Sequence, residues 1–282
     1  GGDIKLIGNF GGVANWMHQL KEKAKTDKQY SYFKVTAWDA VNEGILEEAE
    51  ILQAQRDLPP KVFKQLYLAE EQESEDQLCS FDAIQSLWTN SHAETGDKYI
   101  TADIALHGSD KFIVNVWDGL RLIKFIEVDK CDAEEVEKLL KKVAEENKVM
   151  RSNIIYDADG LGSFLRGYLK GAKPFNNGAK PVKVDGKMPN YKNLKSQCGY
   201  KLAEMINAGL IWFDCELDKT EMIKEIECLQ SYALDNDGKM QLMPKAKVKE
   251  MIGHSPDKLD ALIMRMYPII QPKTVVRSGG VR

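Results

Sequence analysis

Four aspartates stand at positions from which their carboxylates could together bind a cation. Asp103 lies in the middle of "YITADIAL", which otherwise predicts a β-strand and is followed by a predicted turn at "HGSD". Aspartate is disfavoured there because its short carboxylate competes with the backbone for hydrogen bonds and tolerates burial poorly. Asp157 ends "NIIYD", just before the glycine-containing turn "ADGLG". Asp257 and Asp260 follow in "SPDKLDALIM", on one face of a predicted helix.

Carboxylates on adjacent strands and a facing helix can converge on two divalent cations about 3.5–4 Å apart, which cleave phosphodiesters by activating water and stabilising the leaving oxygen. Some of these acids also have a plainer explanation. Asp257 suits the first turn of a helix, and Asp157 and Asp159 suit a turn. Asp103 has no such local role, so it is the strongest candidate ligand, and its hard oxygen atoms favour magnesium or manganese.

The second half of the chain predicts the elements that would bring these acids together. Three strands at hairpin spacing are predicted in "KYITADIAL", "KFIVNVWDG" and "RLIKFIEVD", followed by a helix capped by Asp132 and a fourth strand in "SNIIYDADGLG". Further helices are predicted over 191–208 and 219–234, separated by the short strand "LIWF". The last helix is predicted to have Ser255 as its cap and Pro256 as its first residue. This order predicts a mixed α/β sheet flanked by helices.

The first half predicts a smaller, mainly helical region. A short strand is predicted in "DIKLIGNFGG", a helix in "VANWMHQLKEKAK" and a strand in "SYFKVTAW". A helical hairpin is predicted over 42–72, with a proline of "LPP" opening its second helix. A polar stretch near residues 92–98 predicts a boundary between domains 1–95 and 96–282.

Composition narrows the classes of function. The 282 residues are 43% hydrophobic and 29% charged, as in an ordinary globular protein. The net charge of −4 argues against binding DNA by overall charge, although a local lysine-lined groove remains compatible with it. Five scattered cysteines without a C-x-x-C pair suggest neither a disulfide framework nor a zinc site. No apolar run approaches the roughly 20 residues that span a bilayer, so an intracellular protein without a membrane partner is predicted.

Four segments, taken in order, resemble the RNase H-like nuclease domain of the large terminase subunit of tailed bacteriophages and prophages. They are "TADIALHGSD", "IIYDADGLG", "NLKSQCGYKLAEMINAGLI" and "MPKAKVKEMIGHSPDKLDALIM". Two earlier segments, "IGNFGGVANWMHQL" and "DLPPKVFKQLYLAEE", resemble the coupling strand and helical tail of the terminase ATPase domain. Residues 1–95 would then be the C-terminal part of that motor domain, and the chain a fragment or a truncated prophage product. The sequence has no G-x-x-x-x-G-K-[ST] phosphate loop, so no ATPase activity is expected from it.

The resemblance implies roles for individual residues. The implied ligands of Mg²⁺ or Mn²⁺ are Asp103, Asp157 and Asp257, with Asp260 as a further ligand or as a partner of the ligands. His254 matches a position near the metals. Lys245 matches a lysine near the scissile phosphate, and it reads equally well as one of several solvated lysines in "PKAKVK".

The function that the resemblance implies is metal-dependent endonucleolytic cleavage of double-stranded viral DNA concatemers during genome packaging in the host bacterial cytoplasm. The small terminase subunit and the portal protein would be its partners in an oligomeric motor; the oligomeric state of the chain alone stays open. Alternatives are an RNase H-like resolvase or transposase-type nuclease, and a non-catalytic packaging-assembly module. Candidate DNA-facing residues are Lys170, Lys173, Lys180, Lys183, Lys245, Lys247 and Lys249.

Overall fold

A computed structural model describes residues 4–8, 16–58, 60–70, 76–104, 111–129, 131–159, 165–233 and 237–272. The chain divides into two compact units, 1–75 and 76–282. The sequence instead predicts a boundary after residue 95. Residues on the N-terminal side of that boundary pack in the second unit, because Ile84 and Leu87 belong to its main hydrophobic core. Asn207 also donates a hydrogen bond to the Leu78 carbonyl at 2.7 Å.

The first unit is helical. Its helices are α1 (Trp16–Thr26), α2 (Ala37–Asn42), α3 (Glu48–Asp57) and α4 (Pro60–Tyr67). The predicted helical hairpin is confirmed as α3 and α4, and a proline opens α4. Neither predicted strand forms among the described residues of its segment, which are 4–8 in the first and 31–38 in the second. The second segment instead leads into α2, because Thr36 and Asp39 form a capping box there.

A six-stranded mixed sheet forms the centre of the second unit. Its strands are β1 (Lys98–Asp103), β2 (Phe112–Asp118), β3 (Arg121–Val128), β4 (Ile154–Asp157), β5 (Lys173–Phe175) and β6 (Trp212–Phe213). Their order across the sheet is β5-β4-β1-β2-β3-β6. β1, β2 and β3 form the predicted antiparallel meander. β4 runs parallel to β1, β5 to β4 and β6 to β3, so the predicted mixed sheet is confirmed.

Helices cover both faces of the sheet. They are α5 (Phe81–Ser86), α6 (Ala133–Glu146), α7 (Leu165–Tyr168), α8 (Leu194–Asn207), α9 (Lys219–Ile226), α10 (Lys245–Ile252), α11 (Asp257–Met264) and α12 (Tyr267–Ile270). A small separate sheet contains β7 (Ser231–Tyr232) and β8 (Gln241–Leu242). None of the helices in the described ranges is long and apolar enough to cross a membrane.

Two helix ends differ from the sequence prediction, and one agrees. Asp132 caps α6 through a capping box with Glu135, as predicted. The helix predicted over 219–234 ends at Ile226, because the chain then pairs as β7. The N-cap of α11 is Pro256 and not Ser255, and it supplies no side-chain hydrogen bond to the helix.

The alternation of side chains along the strands decides which face carries the acids. In β1, Ile100 and Ala102 pack in the core that contains α6 residues, so Asp103 points to the opposite face. In β4, Ile155 packs in the core on that opposite face, and Asp157, two residues on, points the same way. Helix α11 packs against β1, β2 and β4. Asp103 is the last residue of its strand and not its middle, and the predicted "HGSD" turn lies outside the described residues.

Candidate functional site

The candidate site lies where two parallel strands end beneath the start of a helix. β1 and β4 are paired neighbours, with Ala102 opposite Tyr156, so the next residues, Asp103 and Asp157, end adjacent strands. Asp257 and Asp260 both lie in the first turn of α11. We call Asp103, Asp157, Asp257 and Asp260 the acid cluster. Each predicted metal ligand therefore comes from an element that reaches the same end of the sheet.

Asp103 lies at the electrostatic centre of the acid cluster. Its residue surface is only 5% exposed. Burial raises the pKa of Asp103 well above its ordinary value, and the negative charge of Asp260 raises it further. Asp157 and Asp257 add smaller contributions in the same direction, whereas Lys245 opposes them. Burial also raises the pKa of Asp157. The acid cluster is therefore a place where negative charge is crowded and a cation is favoured.

Two lysines neutralise the α11 side of the acid cluster. The Nζ of Lys195 lies 2.6 Å from Oδ1 of Asp260. The Nζ of Lys245 lies 3.4 Å from Oδ2 of Asp260 and 3.4 Å from Oδ1 of Asp257. Burial alone would raise the pKa of Asp260, but the two ammonium groups outweigh it and hold that pKa below its ordinary value. Asp260 is thus paired with two lysines, whereas Asp103 is surrounded mainly by other carboxylates.

Backbone and amide donors hold the two remaining acids. The backbone N–H of Lys111 donates to Oδ2 of Asp257 at 2.7 Å. The side-chain amide of Asn177 lies 3.4 Å from each carboxylate oxygen of Asp157. The backbone N–H of Asn177 donates to Oδ2 of Asp159 at 2.8 Å, so Asp159 ties the turn after β4 to the segment after β5.

No family model and no curated protein sequence matches the chain. Solved structures do match it in fold. The nuclease domain of the large terminase subunit gp2 of bacterial virus Sf6 aligns with a TM-score of 0.59 and 20% sequence identity, over 67% of this chain and 98% of that domain. The part of the chain that aligns, about two thirds of it, has the fold of a terminase nuclease domain. The RNase H-like architecture predicted from the sequence is thereby confirmed.

Two further structures of the same Sf6 domain, both of a lysine-to-alanine mutant, have the same TM-score of 0.59 and 19% identity, and each covers 67% of this chain and 98% of the domain. One was determined with manganese and β-thujaplicinol, and the other with calcium. At 19% identity the similarity shows a shared fold only. The manganese and calcium ions belong to the Sf6 structures.

The donor chemistry of the acid cluster fits a hard divalent cation, because its members offer only carboxylate oxygens and they repel one another. Among the described residues, however, no group of three or more His, Cys, Asp or Glu side chains is arranged so that it could hold a metal ion directly. Lys195 and Lys245 occupy carboxylate oxygens that a cation would need. A cation that takes Asp260 as a ligand would therefore have to displace both lysines, and a cation that binds Oδ1 of Asp257 would have to displace Lys245.

His254 lies in a neighbouring polar cavity. Its Nε2 is 3.1 Å from Oε2 of Glu221, and its Nδ1 is 2.8 Å from the Ser255 carbonyl oxygen. The cavity measures about 290 Å³, and both His254 and Asp257 line it. The described polar contacts of His254 are thus with α9 and its own chain neighbour, while its predicted place near the metals stays a prediction.

The candidate DNA-facing lysines differ in exposure. Lys173 and Lys245 are half-buried, and the other five are exposed. Lys247 lies 5.0 Å from the centre of the Tyr232 ring, which is a cation–π contact on the surface. Their exposure is compatible with DNA contacts and equally with solubility.

Sequence reasoning missed Lys195, Asn177 and the backbone N–H of Lys111. A signal existed for Lys195, because a lysine in the first turn of a helix opposes the helix dipole and so calls for an acidic partner. The sequence did not indicate which acid that partner is. Asn177 follows a strand of only three residues, which pattern analysis did not detect.

Proposed function

We propose that the chain is a metal-dependent endonuclease that cuts double-stranded viral DNA during genome packaging. The observation that carries this proposal is the acid cluster at the ends of β1 and β4 and the start of α11, three of whose four members are buried, on a terminase nuclease fold. Packing like charges together costs stability without a cation. We infer that the protein tolerates this loss of stability because the acid cluster binds the catalytic cations.

Asp103, Asp157 and Asp257 would hold Mg²⁺ or Mn²⁺, and Asp260 would either join them or hold the lysines. When bound, two such cations supply an activated water and stabilise the leaving oxygen of the phosphodiester. A bound cation would stabilise the charged form of Asp103 most, because this carboxylate is buried among three others. The donors to Asp157 and Asp257, Asn177 and Lys111, would keep those carboxylates oriented.

Lys245 would stabilise the phosphate. Its Nζ contacts the acid cluster, while its side chain remains 39% exposed, so it lies between the carboxylates and solvent. A lysine released from Asp257 and Asp260 by cation binding could then contact a non-bridging phosphate oxygen, where negative charge develops in the transition state. The exposed lysines would add sequence-independent contacts to the DNA backbone.

The finer parts of the proposal concern the assembled motor. Of the residues 1–95 predicted for it, those of the first compact unit, 1–75, would be the C-terminal part of a terminase ATPase domain, and the chain itself would not hydrolyse ATP. The small terminase subunit and the portal protein would be its partners, in the cytoplasm of the host bacterium. The rival assembly module would use the same surfaces without a metal.

The purified chain should nick supercoiled plasmid DNA with manganese or magnesium and should be inactive in excess chelator, because the crowded carboxylates cannot by themselves activate water for attack on a phosphodiester. The measurement is conversion of supercoiled to open-circular plasmid on agarose gels. Cleavage that persists undiminished in chelator would exclude the metal mechanism. Failure of manganese to produce either nicking or saturable binding would favour the assembly module.

Replacing Lys245 by Ala should lower the nicking rate by about 10²–10³-fold, the loss typical of removing one preorganised transition-state donor. Manganese affinity should be retained or increased, because the substitution removes a positive charge beside Asp257 and Asp260. The matched control is Lys249→Ala, an exposed lysine on the same helix. Equal losses for the two variants would assign Lys245 to general DNA binding.

A further inference from the structure

The helix that carries half of the acid cluster lacks a capping side chain of its own. Pro256 is the N-cap of α11 and makes no side-chain hydrogen bond. The hydroxyl of Ser255 is buried and has no hydrogen-bond partner among the described residues. The first N–H groups of a helix need acceptors from outside the helix, and a terminus without them frays. Fraying here would displace Asp257 and Asp260, so the partner of this terminus matters.

That partner comes from a different helix. Oε2 of Glu225, on α9, accepts a hydrogen bond from the backbone N–H of Leu259 at 2.9 Å. Leu259 is the third residue of α11, the position that a capping side chain normally serves. Glu225 is only 1% exposed, so this contact is shielded from water. A carboxylate at this terminus is also favoured by the helix dipole.

The second oxygen of Glu225 binds the same turn of α11 through its side chains. Oε1 lies 3.6 Å from Nζ of Lys258, and Lys258 is also 3.3 Å from Oε2 of Glu127 on β3. Lys258 is 7% exposed and lies between Asp257 and Asp260 in α11. Glu225 therefore contacts both the backbone and a side chain of the turn that presents the two acids.

Burying this carboxylate has a cost. Burial raises the pKa of Glu225 to about 7, although the Leu259 N–H and Lys258 both oppose that rise. An apolar or neutral residue at this place in the core would avoid the cost. A shielded carboxylate that is held by the first turn of α11 is better explained by the geometry it imposes than by its contribution to stability.

We propose that Glu225 is a positioning residue for the acid cluster, which fixes the first turn of α11 so that Asp257 and Asp260 meet the ends of β1 and β4. This inference rests on the proposed function, because it assigns Glu225 a role in cation binding. Glu225 would not contact the cation. It would act chiefly through the 2.9 Å hydrogen bond from the Leu259 N–H and less through the 3.6 Å contact with Lys258, as residues behind metal ligands commonly do.

Two conservative variants distinguish the effect of the length of the Glu225 side chain from the effect of its charge. Glu225→Gln keeps the length and an oxygen acceptor for the Leu259 N–H, but it removes the charge. Glu225→Asp keeps the charge, but it is one methylene shorter and draws the acceptor back from that N–H. Glu225→Ala removes both. The matched control is Glu221→Ala, one turn earlier on α9, whose described ion pairs are with His254 and Lys224.

The measurement is the dissociation constant of Mn²⁺ from the full chain, read from the electron paramagnetic resonance signal of free Mn²⁺, with melting temperatures recorded alongside. Glu225→Ala and Glu225→Asp should weaken Mn²⁺ binding by about 10–100-fold, the range typical for partners of metal ligands. Glu225→Gln should stay closer to wild type than Glu225→Asp, and Glu221→Ala should equal wild type.

A lower melting temperature with unchanged Mn²⁺ affinity in Glu225→Ala would reduce Glu225 to a structural role and overturn the inference. If Glu225→Ala does not fold, the order of the two conservative variants decides, and weaker binding in Glu225→Gln than in Glu225→Asp would overturn it. Absence of saturable Mn²⁺ binding in the wild type is a different result, because it would overturn the proposed function and the inference together.

Discussion

Asp103→Asn should abolish manganese-dependent nicking and at the same time raise the melting temperature of the metal-free protein. Asp103 is 5% exposed and lies among three other carboxylates. Keeping its carboxylate charged, or protonating it at neutral pH, therefore lowers the stability of the folded protein. An amide of the same shape removes that cost and also removes a cation ligand. We expect the nicking rate to fall by at least about 10²–10³-fold, the loss that follows removal of one preorganised electrostatic group.

The matched control is Asp159→Asn in the turn after β4. Asp159 is exposed, and its role as acceptor for the Asn177 N–H can be filled by an amide oxygen, so this variant should be nearly silent. Nicking at saturating manganese and melting in chelator are measured for both. An Asp103→Asn protein that retains normal activity and melts earlier than wild type would make Asp103 a structural residue.

Asp260→Asn should have the opposite effect on stability, although it removes the same kind of charge from the same acid cluster. Asp260 is buried and pairs with Lys195 and Lys245. Removing one partner of a buried pair typically costs about 3–5 kcal/mol. Because both lysines remain partly exposed and can turn to solvent, we expect a smaller loss of about 1–2 kcal/mol, seen as a drop of several degrees in melting temperature.

A double-mutant cycle with Lys195→Met tests the origin of that loss. If the ion pair causes it, Asp260→Asn and Lys195→Met should be less than additive, with a coupling of about 0.5–3 kcal/mol. Additive losses, or an Asp260→Asn protein that melts higher as Asp103→Asn does, would contradict the assignment of Asp260 as the paired acid. The sequence left open whether Asp260 is a metal ligand or a partner of the ligands. A loss of nicking in Asp260→Asn as large as that in Asp103→Asn would make it a ligand, and a smaller loss would make it a partner of the ligands.

The sheet was predictable because its strands carry strong local signals. The three hairpin-spaced runs became β1, β2 and β3, and Asp132 with Glu135 capped α6. Elements whose stability depends on partners were harder to predict. The β-rich segment before Ala37 forms no strand among the described residues, and the helix after Asp218 stops at Ile226 where tertiary pairing begins. Local propensity does not encode such pairing.

The acids of the candidate site were predictable from local context, and their partners were not. Asp157 stands out at a predicted strand end and Asp257 at a predicted helix start, whereas Asp103 stands out as a charge within a predicted strand, although the structure places it at the strand end. Lys195 meets Asp260 only because α8 and α11 pack together. Glu225 meets Leu259 only because α9 packs on the start of α11. Contacts between separate helices are set by packing geometry, which spacing along one chain does not reveal.

The most direct measurement of the central claim is anomalous diffraction from crystals of the chain soaked in manganese. The account predicts two peaks about 3.5–4 Å apart, bound by carboxylates of Asp103, Asp157 and Asp257. It also predicts that the Nζ atom of Lys245 moves away from Oδ1 of Asp257, from which it lies 3.4 Å here. Saturating manganese that leaves the acid cluster without a peak would contradict the account.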